Sequence, residues 1–350
     1  MRGDKEAVLS KEGSSTHQQS KGIMVEARRN LGMMAAARNY NEIFVYMGGN
    51  QHVPYGVRRA RIHKSVKIVR ARAFIGRRYL IYVEFHDGVE IIEEYAFSHC
   101  QSLRGAIKLL GVRIIQAAAF NYCSSLTGVE FGDKLETIGG CAFIDCASLR
   151  SIRIPSIRTI ENYAFTRCDA LSDVELGEGL CILHTRAFAD CSNLKLIALP
   201  WQVDIIRHDV FDGCVKLETV DLVGEIHQTV ACLHMESWRN EMNNEINRIN
   251  QTLPTFTAWH KTGAIQRWIG TIIQRLNHYK TEHKAVVKEA TTLLELALWK
   301  ANLSNNEGGE LEREGHRTRG QRKRAKKEIC VTSGASIVIK NVLPFLQLDE

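Results

Sequence analysis

No apolar run in this sequence approaches the ~18 residues that a membrane-spanning helix needs, which excludes an integral helical membrane protein. The opening residues Met1-Arg2-Gly3-Asp4-Lys5-Glu6 carry no apolar stretch of the kind a secretory signal uses. A reducing, intracellular setting, cytoplasmic or nuclear, is therefore expected, with thiols rather than disulfides. Ten cysteines are too few for a small disulfide scaffold, and none forms a Cys-x-x-Cys pair suited to zinc. Gly-x-Ser-x-Gly, His-Glu-x-x-His, phosphate-binding and EF-hand motifs are all missing. His278 and His283 stand five apart on a helical stretch, off a common face, and the adjacent Glu93-Glu94 diverge. These absences argue against an enzyme: no catalytic, cofactor-binding or metal-binding residue is assigned, and no cofactor is expected.

What is present is a repeat. Phenylalanine recurs at Phe74, Phe97, Phe120, Phe143, Phe165, Phe188 and Phe211, in steps of 23, with one step of 22. Three residues after each of the last six comes a cysteine: Cys100, Cys123, Cys146, Cys168, Cys191 and Cys214. Leucine follows three further on, and alanine precedes every Phe but the last, where Val210 stands in. Beyond each leucine, alternation such as Val83-Glu84-Phe85 or Val174-Glu175-Leu176 reads as one short strand with its middle residue outward. A unit this short cannot bury its own apolar face, whereas stacked copies share one core. The fold class is thus α/β, a β-rich right-handed solenoid of about seven repeats with an N-terminal cap, followed by an α-helical hairpin.

The frame is well seen in Ala142-Phe143-Ile144-Asp145-Cys146-Ala147-Ser148-Leu149-Arg150-Ser151-Ile152-Arg153-Ile154-Pro155. It resembles the BspA-type leucine-rich repeat, over roughly residues 43–227. The resemblance implies a leucine-rich-repeat solenoid used for protein–protein contact. One repeat departs from the frame, since Ala106-Ile107-Lys108 would point Lys108 inward; a one-residue slip that uses Ile107 and Leu109 removes the conflict.

The organisation expected is a disordered tail at 1–40, the capped solenoid at 41–227, and a helical hairpin at 228–302. A basic flexible linker at 303–330 and an apolar segment at 331–350 follow. The cap rests on charge inversion at one repeat's distance: Arg61 against Glu84, Lys64 against Asp87, Lys67 against Glu90. The hairpin rests on two stripes of helical period. Met235, Trp238, Met242, Ile246, Ile249 and Leu253 form the first, closed by Pro254. The second starts at Ile265 and runs past Trp268, Ile272, Leu276 and Tyr279 to Trp299.

The six in-frame cysteines read as buried reduced thiols beside the phenylalanine ladder, packed as small hydrophobes. The outward strand positions, counted by the frame, are Glu84, Ile107, Glu130, Arg153, Glu175, Ala198 and Asp221, with Asp173 beside Glu175. Acids dominate this row, so Glu84, Glu130, Arg153, Asp173, Glu175 and Asp221 are the candidate contacts for a protein partner carrying a basic segment. The net charge of +7 lies in the flanks: residues 61–227 hold 19 basic and 21 acidic side chains. The run Arg322, Lys323, Arg324, Lys326 and Lys327 fits a nuclear-localisation signal. No base-stacking aromatics accompany it, which disfavours nucleic acid as a partner. The leading function is a non-enzymatic scaffold binding a partner through the repeat face. The alternatives are a nuclear nucleic-acid-associated factor using the basic linker, or a surface adhesin if a signal peptide lies upstream.

Overall fold

A computed structural model describes residues 42–202, 205–233 and 235–310. They form a parallel β-solenoid of about seven turns followed by helices. Two compact units result: the solenoid through Ile226 together with Asn247–Gly270, and His227–Ile246 together with the chain from Thr271.

The solenoid is built of longer strands and two-residue strands. The longer ones are β1 (Ile43–Tyr46), β2 (Arg59–Ile62), β4 (Tyr82–Glu84), β6 (Gly105–Leu109), β8 (Leu126–Phe131), β10 (Ser151–Ile154), β12 (Asp173–Leu176), β14 (Leu196–Pro200) and β15 (Thr219–Val223). The short ones are β3 (Ile68–Val69), β5 (Ile91–Ile92), β7 (Ile114–Ile115), β9 (Thr137–Ile138), β11 (Thr159–Ile160) and β13 (Ile182–Leu183), and they pair in sequence order as one six-stranded sheet. Each coil from β2 to β12 lays down one longer strand and one two-residue strand, while β1, β14 and β15 stand without a short partner. Every pairing is parallel; β1 lies on β2 as a cap strand, Ile43 level with Arg59. From β2 onward the pairs join a residue to its counterpart in the next coil, as with Ile152 and Val174. The β-branched and leucine side chains of each strand alternate inward, so Ile152, Ile154, Val174 and Leu176 are all buried.

Between the strands the seven phenylalanines stack, with ring centroids 4.8 Å apart for Phe74–Phe97 and 6.2 Å for Phe188–Phe211. The turn carrying them is left-handed at two places per coil, two residues before and two after the Phe. In the first coil these are Arg72 and Gly76, in the fourth Cys141 and Asp145, in the last Asp209 and Gly213. A left-handed residue other than glycine costs about 1–2 kcal/mol. The stack holds these turns in place, because the N–H groups of Arg72, Phe74 and Gly76 donate to the carbonyls of Glu94, Ala96 and Ser98 in the next coil, and every later coil but the last repeats the pattern. Bonds from the strands run the other way, as when Ile81 N–H donates to Arg58 O. Each coil is thereby tied both forward and backward.

The single 22-residue step is absorbed on the surface. Where one coil turns through Gly132-Asp133-Lys134, the next turns through Pro155-Ser156, one residue shorter. The Ser156 hydroxyl closes the gap by donating to Gly132 O and to Leu135 O, the latter at 2.9 Å.

The third coil slips as its sequence requires. The register between β6 and β8 shifts between Gly105 and Ala106, after which Ile107 pairs with Val129 and Lys108 with Glu130. Ile107 and Leu109 are buried, and the exposed Lys108 ammonium sits 3.0 Å from Glu130. The frame count that put Ile107 in the outward row is therefore corrected: that place belongs to Lys108, because burying an ammonium costs far more than a bulge.

The two ends are closed differently. In the first coil Arg77 occupies the position that cysteine holds in every later one. Its buried guanidinium donates to Val53 O at 3.1 Å and lies 4.5 Å from the Tyr55 ring centroid. At the other end, residues outside the repeat supply the missing partners. The Thr262 hydroxyl accepts from Phe211 N–H at 2.9 Å, and the Asn250 side chain accepts from Val220 N–H. Lys261, 2% exposed, donates to Val215 O at 2.9 Å and Leu217 O at 2.7 Å. Gln266 donates to Ile206 O.

The helices are α1 (Ile226–Ala231), α2 (Glu236–Thr252) and α3 (Lys261–Glu310). Pro254 lies in the 3-10 turn Leu253–Thr255 directly after α2. In the second unit α2 and α3 run antiparallel, with Trp238 stacked on Tyr279 and Arg275 near Glu245. Helix α3 is longer than its apolar stripe predicts, starting at Lys261 and continuing through Asn305–Gly309 to Glu310. Once nucleated, a helix extends through poor formers at a cost of only about 1 kcal/mol per glycine. Its stripe is buried through Tyr279, while Val286, Leu293 and Trp299 are exposed. The N-terminal tail, the basic run Arg322–Lys327 and the apolar segment 331–350 lie outside the described residues.

Candidate partner-binding face

The outward side chains of the longer strands line a shallow trough of about 780 Å³. It opens where the strands carry small residues: Ala106 and Gly128 at one end, Ala198 at the other. The absent Cβ of Gly128 leaves room that a side chain would fill against Ala106, 3.4 Å away. The outward-facing Leu196, Ala198 and Val223 add an apolar floor, and Glu130, Arg153, Asp173, Glu175 and Asp221 form the rim.

Five of the six predicted contact residues are thus brought together. Glu84 is not among them: it lies on the second coil, where Arg61 holds it at 2.7 Å. The rim is also less acidic than a bare count suggests. Glu130 is paired with Lys108, and Arg153 with Glu175 at 3.1 Å. All four of these side chains are at least half exposed or nearly so, and each pair contributes at most about 1 kcal/mol. What stays uncompensated is Asp221, with no ion-pair partner among the described residues, and Asp173, whose carboxylate accepts from Ser172. Parallel register fixes their separation: Asp173 is level with Leu196, and Asp221 with Ala198, two strands further on.

Of the three cap pairs read from charge inversion, Arg61–Glu84 and Lys67–Glu90 form, at 2.7 and 3.1 Å. Lys64 and Asp87 do not pair; both sit in exposed turns, beyond the ladder that would hold them level. Arg70–Glu93 takes the third place at 3.1 Å.

The six in-frame thiols are buried, and each does more than fill space. Every Sγ donates to the carbonyl of the preceding repeat's phenylalanine, from Cys100 on Phe74 at 3.2 Å to Cys214 on Phe188 at 3.1 Å. The S–H is a weak donor, and it adds a second partner to carbonyls that, at Phe74, Phe97, Phe120 and Phe143, already accept the backbone N–H three residues on. Burial pushes the Cys100 thiol up to about 12, and Cys123, Cys146 and Cys191 well above the ordinary thiol range. These sulfurs are therefore poor nucleophiles. Cys181 and Cys232 are exposed and free. Among the described residues no group of three or more His, Cys, Asp or Glu is placed to hold a metal ion, and no helix is long and apolar enough to cross a membrane.

Sequence reasoning missed the residues that close the C-terminal end: Asn250, Lys261, Thr262 and Gln266 stand outside the repeat and carry no motif. Arg77 was findable, as the one break in the cysteine column.

The pattern of the BspA type leucine rich repeat region matches this chain in six copies, over residues 56–156 and 113–232, together just over half its length. The chain belongs to the BspA-type leucine-rich-repeat family. Repeats of this family typically serve protein interaction or adhesin-like surface roles, and are generally non-enzymatic. Similar solved structures include a leucine rich cell surface protein from Faecalibacterium prausnitzii, 24% identical, covering 47% of this chain and 59% of that one, with a TM-score of 0.34. A leucine rich repeat protein of T. pallidum is 28% identical over 45% of this chain and 64% of that one, TM-score 0.33. A leucine-rich repeat protein from Eubacterium ventriosum is 21% identical over 51% and 54%, TM-score 0.36. The chain spans about three fifths of the length of the first two. No curated protein matches it.

Proposed function

We propose that this BspA-type repeat protein is a non-enzymatic interaction scaffold that seats an extended, basic segment of a protein partner in the strand-face trough. The observation that carries this reading is an apolar floor bounded by a rim whose uncompensated charges, Asp173 and Asp221, are both acidic. The floor supplies burial, and the two carboxylates select and orient cationic side chains. The strands hold the surface in its binding shape in advance, so little ordering cost falls on association. The free, exposed Cys181 and Cys232 support a reducing compartment as the place of work.

The test is fluorescence anisotropy with a labelled Lys/Val-alternating decapeptide and the full chain. Charge reversal at both anchors, Asp173→Lys with Asp221→Lys, is expected to weaken binding at least tenfold. Glu84→Lys, outside the trough, is expected to leave it within twofold. Equal binding by the double variant and the unchanged protein refutes the assignment.

A further inference from the structure

The first coil of the solenoid has a composition that the cap does not use up. Residues 57–80 hold nine arginines and lysines and no acid, whereas residues 81–103 hold five acids and neither Arg nor Lys. Three of the nine are matched across the junction, Arg61, Lys67 and Arg70 with Glu84, Glu90 and Glu93, and Arg77 is committed to Val53. A cap needed no more than these.

Of the five left, Arg59 and Arg78 lie on the edge where the turns lead into the longer strands, and Arg104 of the following coil joins them there. Arg78 and Tyr79 form the turn before β4, and both are exposed, Tyr79 by 52%. Tyr82 begins β4, level with Arg59 of the previous coil, whose guanidinium carbon lies 5.5 Å from the Tyr82 ring centroid. Arg104 leads into the next coil, with its N–H on Ile81 O, and its side chain is exposed. None of Arg59, Arg78 and Arg104 has an ion-pair partner among the described residues, and the buried Nε of Arg59 donates to nothing there. The equivalent turns of the following three coils are Gln101-Ser102, Ser124-Ser125 and Ala147-Ser148, so no acid enters this edge until Asp169.

We infer that this edge is a second interaction surface, one that receives an Asp/Glu-rich segment of a protein. The chemistry distinguishes that occupant from a nucleic acid. A guanidinium already lies against the Tyr82 ring, which leaves Tyr79 alone to offer a face on this edge, where single-stranded nucleic acid is held by a series of stacking rings. What projects is a set of N–H forks and phenols, which suits carboxylates taken two at a time. Three coils at about 4.8 Å span roughly 10 Å, the reach of a few residues of extended peptide. The surface lies on the opposite side of the charge gradient from the acidic trough: residues 161–227 hold 12 acids and five bases.

Anisotropy with a labelled hexaglutamate peptide and the full chain at low salt tests the inference, beside a single-stranded hexanucleotide. Hexaglutamate is expected to bind saturably and at least fivefold more tightly than the oligonucleotide. Arg78→Glu with Arg104→Glu, both exposed, should weaken the peptide at least tenfold with unchanged circular dichroism. Tyr79→Ala should weaken it about threefold. Absence of saturable peptide binding, tighter binding of the oligonucleotide, or equal binding by a folded double variant would each overturn it. Failure of the trough variants to affect the basic decapeptide leaves this result untouched, because the two surfaces share no residue.

Discussion

The two ends of the solenoid face one requirement and meet it with different chemistry. A stacked repeat leaves backbone groups without a neighbour at its first and last coils. At the N-terminal end the answer is written within the repeat: Arg77 replaces a cysteine and reaches Val53 O with a longer, charged arm. At the C-terminal end the answer is imported. Thr262 and Asn250 accept from Phe211 and Val220, and Lys261 donates to Val215 and Leu217. An in-frame solution needs one substitution, while an out-of-frame one needs a whole helical segment folded against the last coil.

The largest effect expected concerns what lies between the ends. The six in-frame thiols ionise near pH 9 when unfolded and are held higher when folded. Burial does this in five of them, Cys100 at about 12, and at Cys214 the hydrogen bond with Cys191 comes first and burial second. Their folded values are raised, so their contribution is intact below pH 9 and is lost as pH climbs from 9 towards 12. Each such thiol removes about 1.4 kcal/mol per pH unit in that window. Lys261, lowered by burial, works in the opposite sense with a single proton. Urea denaturation at pH 8 and pH 10 should show a steep fall, and replacing Cys123, Cys146 and Cys168 by alanine should flatten it.

Next come the ends themselves. Lys261→Met strands the buried Leu217 carbonyl and the half-buried Val215 carbonyl, and a loss of about 3 kcal/mol is expected. Arg77→Met keeps the packing of the stem but orphans Val53 O, at about 2 kcal/mol. Chemical denaturation of both variants orders the two closures, and a larger loss for Arg77 would reverse the ranking proposed. Thr262→Val removes one acceptor from Phe211 N–H, for about 1 kcal/mol. Smallest are the exposed cap pairs: Lys67→Ala should change stability by no more than about 0.5 kcal/mol, and 1 M salt should erase the difference.

Much of this was legible in the residues. A phenylalanine, cysteine and leucine in fixed register dictate the coil, the buried ladder and the strand alternation. The slip at Ala106-Ile107-Lys108 announced itself because one lysine could not go inward. Other features leave no mark. Glycine stands after the phenylalanine only in the first and last coils, at Gly76 and Gly213; between them the same left-handed place is taken by His99, Tyr122, Asp145, Arg167 and Asp190. Neighbouring coils impose that conformation even on Tyr122 and Arg167, so local propensity, which favours His99, Asp145 and Asp190 there, is not what selects it. The acid row was visible, but Lys108–Glu130 and Arg153–Glu175 neutralise much of it, and only the pairing of strands reveals which carboxylates remain. Lys261 and Thr262 belong to a helix whose period says nothing about a repeat fifty residues earlier.

The short turn at Pro155-Ser156 carries a lesson about descent. Coils tied to both neighbours cannot change length beneath a phenylalanine without breaking bonds on two sides. A deletion is borne most cheaply where the chain faces water and one hydroxyl can bridge the gap, as Ser156 does. Arrays of this kind should therefore diverge mostly by copying and losing whole coils, with single-residue scars held to this turn or to a strand bulge such as that of β6. For a builder of such proteins, the turn is also the place to splice.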